Sequence, residues 1–169
     1  MESTCDLSDT YGEQARIVSP GLRHFGGKRR FHGAVVTVKC FEDNSRVREL
    51  VTTAGNGRVL LVDGGGSMRY ALLGDLLGRE ALANGWAGVV VYGCVRDTSV
   101  LETLKFGVMA LASTPRRSLK NGEGTVDVPV EIAGTLCRPG DLLFADDDGI
   151  VVIDPAVIDP ALVDPAQRS

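Results

Sequence analysis

The sequence predicts an α/β fold, a compact layered sandwich built on a β-α-β-α-β core and continued by β-hairpins. Through the middle of the chain, β-branched apolar runs alternate with stretches at helical spacing, the pattern of strands joined by right-handed crossovers. There are 21 glycines in 169 residues, against a usual share of about 7%, and they punctuate the apolar runs instead of forming one tract. Beyond residue 112 the pattern shifts to short β segments separated by turn residues.

Residues 33–40 (GAVVTVKC) predict the first core strand. Residues 45–51, entered through Asp43-Asn44, predict a capped amphipathic helix, and residues 58–62 (RVLLV) the next strand. That strand runs into Asp63-Gly64-Gly65-Gly66-Ser67. From about Tyr70 to Asn84, Leu73, Leu76, Leu77 and Ala81 fall at helical spacing before Gly85, which predicts the second helix. Residues 87–92 predict the third strand. After the apolar run 108–112, segments 127–132, 135–137 and 142–145 predict closing hairpins. Asp-Pro recurs at 154–155, 159–160 and 164–165, where each proline suits a first helical turn but breaks a longer helix. The chain is therefore expected to be a single domain over residues 1–153, with 154–169 a short C-terminal helix or a frayed tail.

A hydrophobic share of 44% and a charged share of 24% are globular values, which exclude a collagen, a coiled coil or a disordered tail. The net charge of −4 argues against general nucleic-acid binding, which needs a surplus of cations. Lys28-Arg29-Arg30 and Arg116-Arg117 read as solvated loops, because only 5% of the chain is aromatic and none interleaves with them. No direct nucleic-acid partner is expected. No apolar run approaches the roughly 18 residues of a membrane span, and Met1-Glu2-Ser3-Thr4 lacks the features of an export signal. A cytoplasmic protein with no membrane partner is expected. Cys5, Cys40, Cys94 and Cys137 are widely spaced, and the histidines are His24 and His32 alone, which favours reduced thiols over zinc. Both histidines read as structural or solvent-facing.

The glycine loop 63–67 follows a strand, as a dinucleotide-binding turn does. Counted from Gly64, however, the third glycine of G-x-G-x-x-G is replaced by Arg69, so a tight turn that admits another backbone or a small ligand is the better reading. An S-adenosylmethionine site inherits the same weakness. More informative is Gly74-Asp75, followed after residues 76–95 by Arg96-Asp97. Both pairs fall near the carboxyl ends of predicted strands, where open α/β sheets collect ligands. Amides of Leu76 and Leu77 at a helix start suit a carboxylate, and the planar fork of Arg96 suits a carboxylate or keto oxygen. Asp97 offers an oxygen ligand to Mg²⁺ or Mn²⁺. Taken alone, Arg96 and Asp97 also fit a surface ion pair, or Asp97 a helix cap.

Several separated blocks settle the balance. Phe25-Gly26-Gly27, Thr37-Val38-Lys39-Cys40-Phe41-Glu42-Asp43-Asn44, Val62-Asp63-Gly64-Gly65-Gly66-Ser67, Tyr92-Gly93-Cys94-Val95-Arg96-Asp97 and Pro139-Gly140-Asp141 together make the chain resemble one family. It is that of the regulator of ribonuclease E activity A and the class II 4-hydroxy-4-methyl-2-oxoglutarate aldolases, the RraA-like family. The resemblance runs from Asp9 to Ile150. It implies an α/β sandwich of the swivelling-domain-like type, assembled as a homotrimer or a dimer of trimers with sites near subunit boundaries.

By that likeness, Gly74, Asp75, Leu76, Leu77 and Arg96 bind substrate, Asp75 and Arg96 are catalytic, and Asp97 positions the metal. The implied reaction is divalent-metal-dependent cleavage of 4-hydroxy-4-methyl-2-oxoglutarate to two pyruvates, with oxaloacetate decarboxylation through the same enolate. The small 2-keto acid is the expected partner. Glu42, Asp43 and Asn44 are candidates for a cross-subunit role, although Asp43 or Asn44 as an ordinary helix cap fits better. Cys94 reads as a buried strand-end thiol, not a nucleophile. The family also implies a rival, a non-catalytic regulator that binds ribonuclease E or an RNA helicase. A third name attached to the family, a methyltransferase of menaquinone synthesis, draws little support from the incomplete glycine pattern.

Overall fold

The β-branched run predicted first becomes the pivot of the fold. In a computed structural model describing residues 1–163, strand β3 (Phe31–Lys39) serves two partners. Its first part pairs antiparallel with β11 (Leu142–Ala145), from Ala145↔Phe31 to Leu142↔Ala34. Its second part pairs parallel with β4 (Val59–Asp63), from Val35↔Val59 to Lys39↔Asp63. Just before this switch stands Gly33, where a Cβ would lie 2.3 Å from the carbonyl oxygen of Gly57, so only glycine lets the strand pass.

From β4 the parallel ladder continues to β6 (Gly88–Val95) and β7 (Gly107–Ser113). The crossovers carry α2 (Ser45–Val51), α3 (Asp75–Ala83) and α4 (Thr98–Leu101). On the other side of β3, β11 pairs with β12 (Ile150–Ile153), and β12 pairs with β1 (Arg16–Ile17). At the far end β2 (Arg23–His24) lies against β7. Short strands complete the sheet: β5 (Ala71–Leu73) beside the end of β6, and β8 (Thr125–Val126) beside the end of β3. A hairpin of β9 (Val130–Ile132) and β10 (Thr135–Cys137) stands apart from it.

Strand periodicity sorts the side chains into layers. Leu60 and Val62 join the apolar cluster under the crossover helices, while Val59 and Leu61 face the opposite cluster with Phe31, Leu143 and the β9–β10 hairpin. Ile150 and Val152 share that second cluster. Val151 and Ile153 turn the other way, onto Leu7 of α1 (Thr4–Tyr11). The order is thus helices, parallel sheet, antiparallel strands and α1, so β4, β11 and β12 are buried on both faces. The layered α/β sandwich is as expected. Both histidines serve this frame: the Nε2–H of His24 donates to the Asp146 carbonyl at 2.8 Å, and His32 stacks on Phe144.

Four local expectations change. Residues 70–84 are not one helix, because Ala71–Leu73 pairs with Cys94 and Val95 as β5, and helix α3 begins only after extended Gly74. The third core strand runs on to Val95, three residues past its predicted end. Of residues 127–132 only Val130–Ile132 is strand, because Asp127, at a φ of 55°, turns the chain between β8 and β9. Residues 4–11 form a helix that no apolar repeat announced; Ser3 caps it by accepting from the amide of Asp6. The C-terminal helix is α5 (Pro160–Val163), and residues 164–169, including the last Asp-Pro, lie outside the described residues. No helix among the described residues is long and apolar enough to cross a membrane.

Candidate active site

Pairing of β5 with β6 explains how two motifs far apart in sequence meet. Leu73 is in register with Val95, and the Arg96 amide donates to the Leu73 carbonyl at 2.9 Å. The residues that follow each strand, Gly74-Asp75 and Arg96-Asp97, therefore emerge side by side. The first starts α3 and the second starts α4. A cleft of about 220 Å³ opens there, and Gly74, Asp75, Leu76, Leu77, Arg96 and Asp97 all line it.

Within the cleft Asp97 is the organising group. It sits in the left-handed region at φ 55° and ψ 39°, an uncommon conformation for a non-glycine residue but one that Asp tolerates. Its Oδ2 accepts from Arg96 Nε at 3.1 Å and from the Asp75 amide at 3.4 Å. Burial disfavours the Asp97 anion, but hydrogen bonds from Arg96 and the Asp75 amide, the Arg96 charge and the nearby Asp75 carboxyl outweigh it and lower its pKa. The Arg96–Asp97 ion pair is present, whereas a side-chain cap of α4 by Asp97 is not.

Gly74 is obligatory for this geometry. A Cβ there would lie 2.6 Å from Asp97 Oδ2 and 3.1 Å from Arg96 Cγ. Gly74→Ala is expected to displace both side chains and to lower turnover by at least about 10²-fold, the scale of a roughly 1 Å misplacement of catalytic groups. Thermal melting beside a rate assay checks this. A variant with normal turnover would show that the Asp97 position is immaterial.

Next to this pair, the first turn of α3 has no side-chain cap, so the amides of Leu76 and Leu77 are available to an anion. Arg48, Arg117 and Lys120 line the same cleft, together with Asn44 and Ser118. Asn44 and Ser118 are each only 8% exposed, yet Asn44 Oδ1 and Ser118 Oγ have no hydrogen-bond partner. Such orphans cost about 1–3 kcal/mol each unless an occupant or its water satisfies them. For Arg117 the structure departs from the solvated loop that the sequence predicts. It is exposed, but it belongs to the cleft, while Arg116 stacks over Tyr70. The rule that placed Arg96 could have found it, since residues 116–120 follow the carboxyl end of β7.

The remaining candidates are engaged elsewhere. Glu42 receives Arg69 Nε and Nη2, both at 2.6 Å, and the Ser67 hydroxyl at 2.7 Å; the Arg69 contacts foremost lower its pKa. Asp43 accepts from the amides of Ser45 and Asn121 and so braces the α2 entrance, whereas Asn44, at the cap position, makes no capping side-chain bond. The Asn44 side chain donates to the Leu72 carbonyl. Burial raises the thiol pKa of Cys94 and pushes that of Cys40 up to about 12, which suits packed thiols and not nucleophiles. In the glycine loop the amides of Gly64 and Gly66 both donate to the Tyr92 carbonyl, so they are spent internally, and the loop leads into β5 instead of a helix. It is no phosphate cradle.

A larger cleft, about 620 Å³, lies where the two ends of the curled sheet approach each other. It contains none of the paired residues, and its Arg29 and Asp147 neutralise each other, so the smaller cleft is the stronger candidate on chemical grounds. No group of three or more His, Cys, Asp or Glu side chains fit to hold a metal occurs among the described residues. Asp97, with Oδ1 outside the Arg96 contact and Asp75 beside it, suits a hard cation that keeps several waters.

Comparison with known proteins places this architecture. A protein of Alkalilimnicola ehrlichii named "Putative 4-hydroxy-4-methyl-2-oxoglutarate aldolase" is 57% identical over 149 residues, covering 88% of this chain and 92% of that protein. A solved structure titled "Structure of the RNA-processing inhibitor RraA from Thermus thermophilis" superposes with a TM-score of 0.88 at 49% identity, covering 91% of this chain and 94% of the other. Another, from Geobacillus kaustophilus and titled as an S-adenosylmethionine:2-dimethylmenaquinone methyltransferase, gives 0.90 at 40% identity, covering 96% and 99%. The family described as RraA-like, Aldolase/RraA, matches residues 4–152, and the chain belongs to it.

Proposed function

We propose that the protein is a divalent-metal-dependent class II aldolase that cleaves 4-hydroxy-4-methyl-2-oxoglutarate to two pyruvates. Oxaloacetate decarboxylation is its side activity. The observation that carries this reading is the convergence of Asp75, Arg96 and Asp97 on one cleft beside the uncapped start of α3. The aldolase name of the 57% identical relative supports it.

In this mechanism the amides of Leu76 and Leu77 hold the substrate's C1 carboxylate at the positive end of α3. Arg96 turns its terminal nitrogens to the C2 keto oxygen while Nε stays on Asp97. Asp97 would hold Mg²⁺ or Mn²⁺, which would supply Lewis-acid stabilisation of developing negative charge. Asp75 orients the water through which the 4-hydroxyl proton leaves. The C3–C4 bond then breaks, its electron pair passing into the enolate of one pyruvate while C4 becomes the keto carbon of the other. Protonation of the enolate at C3 completes the reaction. Oxaloacetate reaches the same enolate by losing CO₂. The side chains need form no Schiff base.

The protein is expected to release pyruvate from the hydroxy-keto acid and from oxaloacetate only with Mg²⁺ or Mn²⁺ supplied, and to stop when a chelator is added. Turnover untouched by the chelator would sink the metal-dependent scheme. Exposed Leu76 at the cleft, and exposed Leu119 beside the cleft residues Ser118 and Lys120 in the chain, suit burial in a homotrimer, which sedimentation would detect. The RNA-processing inhibitor title of the 49% identical structure favours a second reading, a protein-binding regulator. Retention of ribonuclease E or an RNA helicase by a variant lacking Arg96 and Asp97 would favour it.

A further inference from the structure

We infer that Asn44 and Ser118 handle the substrate's 4-hydroxyl, so that they serve C–C cleavage of a hydroxy-keto acid and not decarboxylation in the same cleft. This rests on the aldolase reading and deepens it, because it gives the first step, removal of the 4-hydroxyl proton, residues of its own. Asn44 occupies the cap position of α2, where an asparagine side chain ordinarily accepts from the first-turn amides, yet it makes no such bond. Its Nδ2 instead donates to the Leu72 carbonyl at 3.2 Å. That bond fixes the amide, since the reverse orientation would set two oxygens against each other. Oδ1 is left as a pure acceptor at the cleft, with no partner among the described residues.

Ser118 is placed by two backbone bridges, one joining Ala71 to Arg117 and one joining Asp43 to Leu119. The Asn44 amide donates to the Leu119 carbonyl at 3.3 Å, and the Leu119 amide to the Glu42 carbonyl at 2.8 Å. Ser118 therefore sits between two anchored residues, at a fixed place relative to Asn44 and to β5, with Oγ free both to donate and to accept. At 8% exposure each, the two side chains hold orphaned oxygens that suit a hydroxyl and a water, since the Asn44 acceptor repels a carboxylate. A water that donates to Asn44 Oδ1 and to the Asp75 carboxylate keeps a lone pair for the proton leaving the 4-hydroxyl. The Ser118 hydroxyl donates to the 4-oxygen as negative charge develops there. The C3–C4 electron pair then passes into the enolate, and the proton returns to C3. Oxaloacetate carries no such hydroxyl; its C3–C4 pair is released by loss of CO₂ from a carboxylate already ionised.

The test compares two rates in each variant, with Mg²⁺ supplied: pyruvate release from 4-hydroxy-4-methyl-2-oxoglutarate and decarboxylation of oxaloacetate. Ser118→Ala removes one unpartnered hydroxyl, and its melting temperature is expected to be unchanged or raised. Its cleavage rate should fall at least about 10-fold further than its decarboxylation rate, the effect of losing one hydrogen bond to the reacting group. Asn44→Ala, which also loses the Leu72 contact, should shift the ratio the same way, and Ser118→Thr, which keeps the hydroxyl, should move it back toward the wild-type value. A merely structural role would lower both rates alike. Equal losses in the two reactions, or wild-type cleavage by Ser118→Ala, would overturn the inference and leave the aldolase reading intact. A wild type that cleaves no hydroxy-keto acid strikes the aldolase reading instead, and binding then decides for the two residues. Tighter binding of 4-hydroxy-2-oxoglutarate than of 2-oxoglutarate, lost in Ser118→Ala, would uphold their role, and equal binding would overturn it.

Discussion

Asp97→Asn is expected to lower metal-dependent pyruvate release by about 10²–10³-fold or more, with the melting temperature little changed. Asparagine suits the experiment because it tolerates the left-handed backbone at φ 55°, so the turn into α4 is kept. Its amide oxygen can still accept from Arg96 Nε and the Asp75 amide. What disappears is one negative charge at the place where a hard cation would be held, and with it the neutralisation of Arg96. Alanine would mix that loss with strain, since it favours positive φ less. The pH behaviour follows from the lowered Asp97 pKa: the carboxylate stays ionised through the neutral range, and its contribution fades only as pH falls below the usual carboxylate range. Calorimetric Mg²⁺ binding separates the causes, because the variant should lose metal affinity. A variant with wild-type turnover and wild-type Mg²⁺ affinity would remove Asp97 from the mechanism.

The same residues show what a sequence discloses. Strands β3, β4 and β6 are legible because burial on both faces demands unbroken β-branched runs, and α2 is legible because Asp43 marks its entrance. Strand β5 is not. Its three residues, Ala71–Leu73, suit a strand or a helix equally, and Leu73 falls into helical phase with Leu76, Leu77 and Ala81 by accident. Only the distant Val95 decides. Helix α1 escaped notice for another reason: Leu7 and Thr4 are its buried residues, too few for a period. In the site, Gly74-Asp75 and Arg96-Asp97 were found because strand ends collect ligands. Arg117 and Lys120 follow β7 by the same rule but carried no paired motif, and a lone basic cluster looks the same whether it faces solvent or a cleft.

Arg96→Lys separates charge from geometry, and a loss of about 10²–10³ in turnover is expected, or about 2.7–4 kcal/mol, the scale of deleting one donor to a developing oxyanion. Arg96 performs two tasks together: Nε fixes Asp97 at 3.1 Å, and the other nitrogens remain for the keto oxygen. Lysine keeps the charge but has one ammonium head, which can hold the carboxylate or meet the substrate, not both in one fixed plane. Turnover should therefore fall even though the net charge is unchanged. Because cleavage and decarboxylation share an enolate, both should fall by similar factors, and so should exchange of pyruvate methyl protons with solvent deuterium, which needs only the proximal half of the cleft. If instead lysine preserved turnover, the planar guanidinium would be dispensable and the cation alone would account for enolate stabilisation. If exchange survived while cleavage failed, Arg96 would act at the C–C bond and not on the enolate, and the order of events proposed for the cleft would have to change.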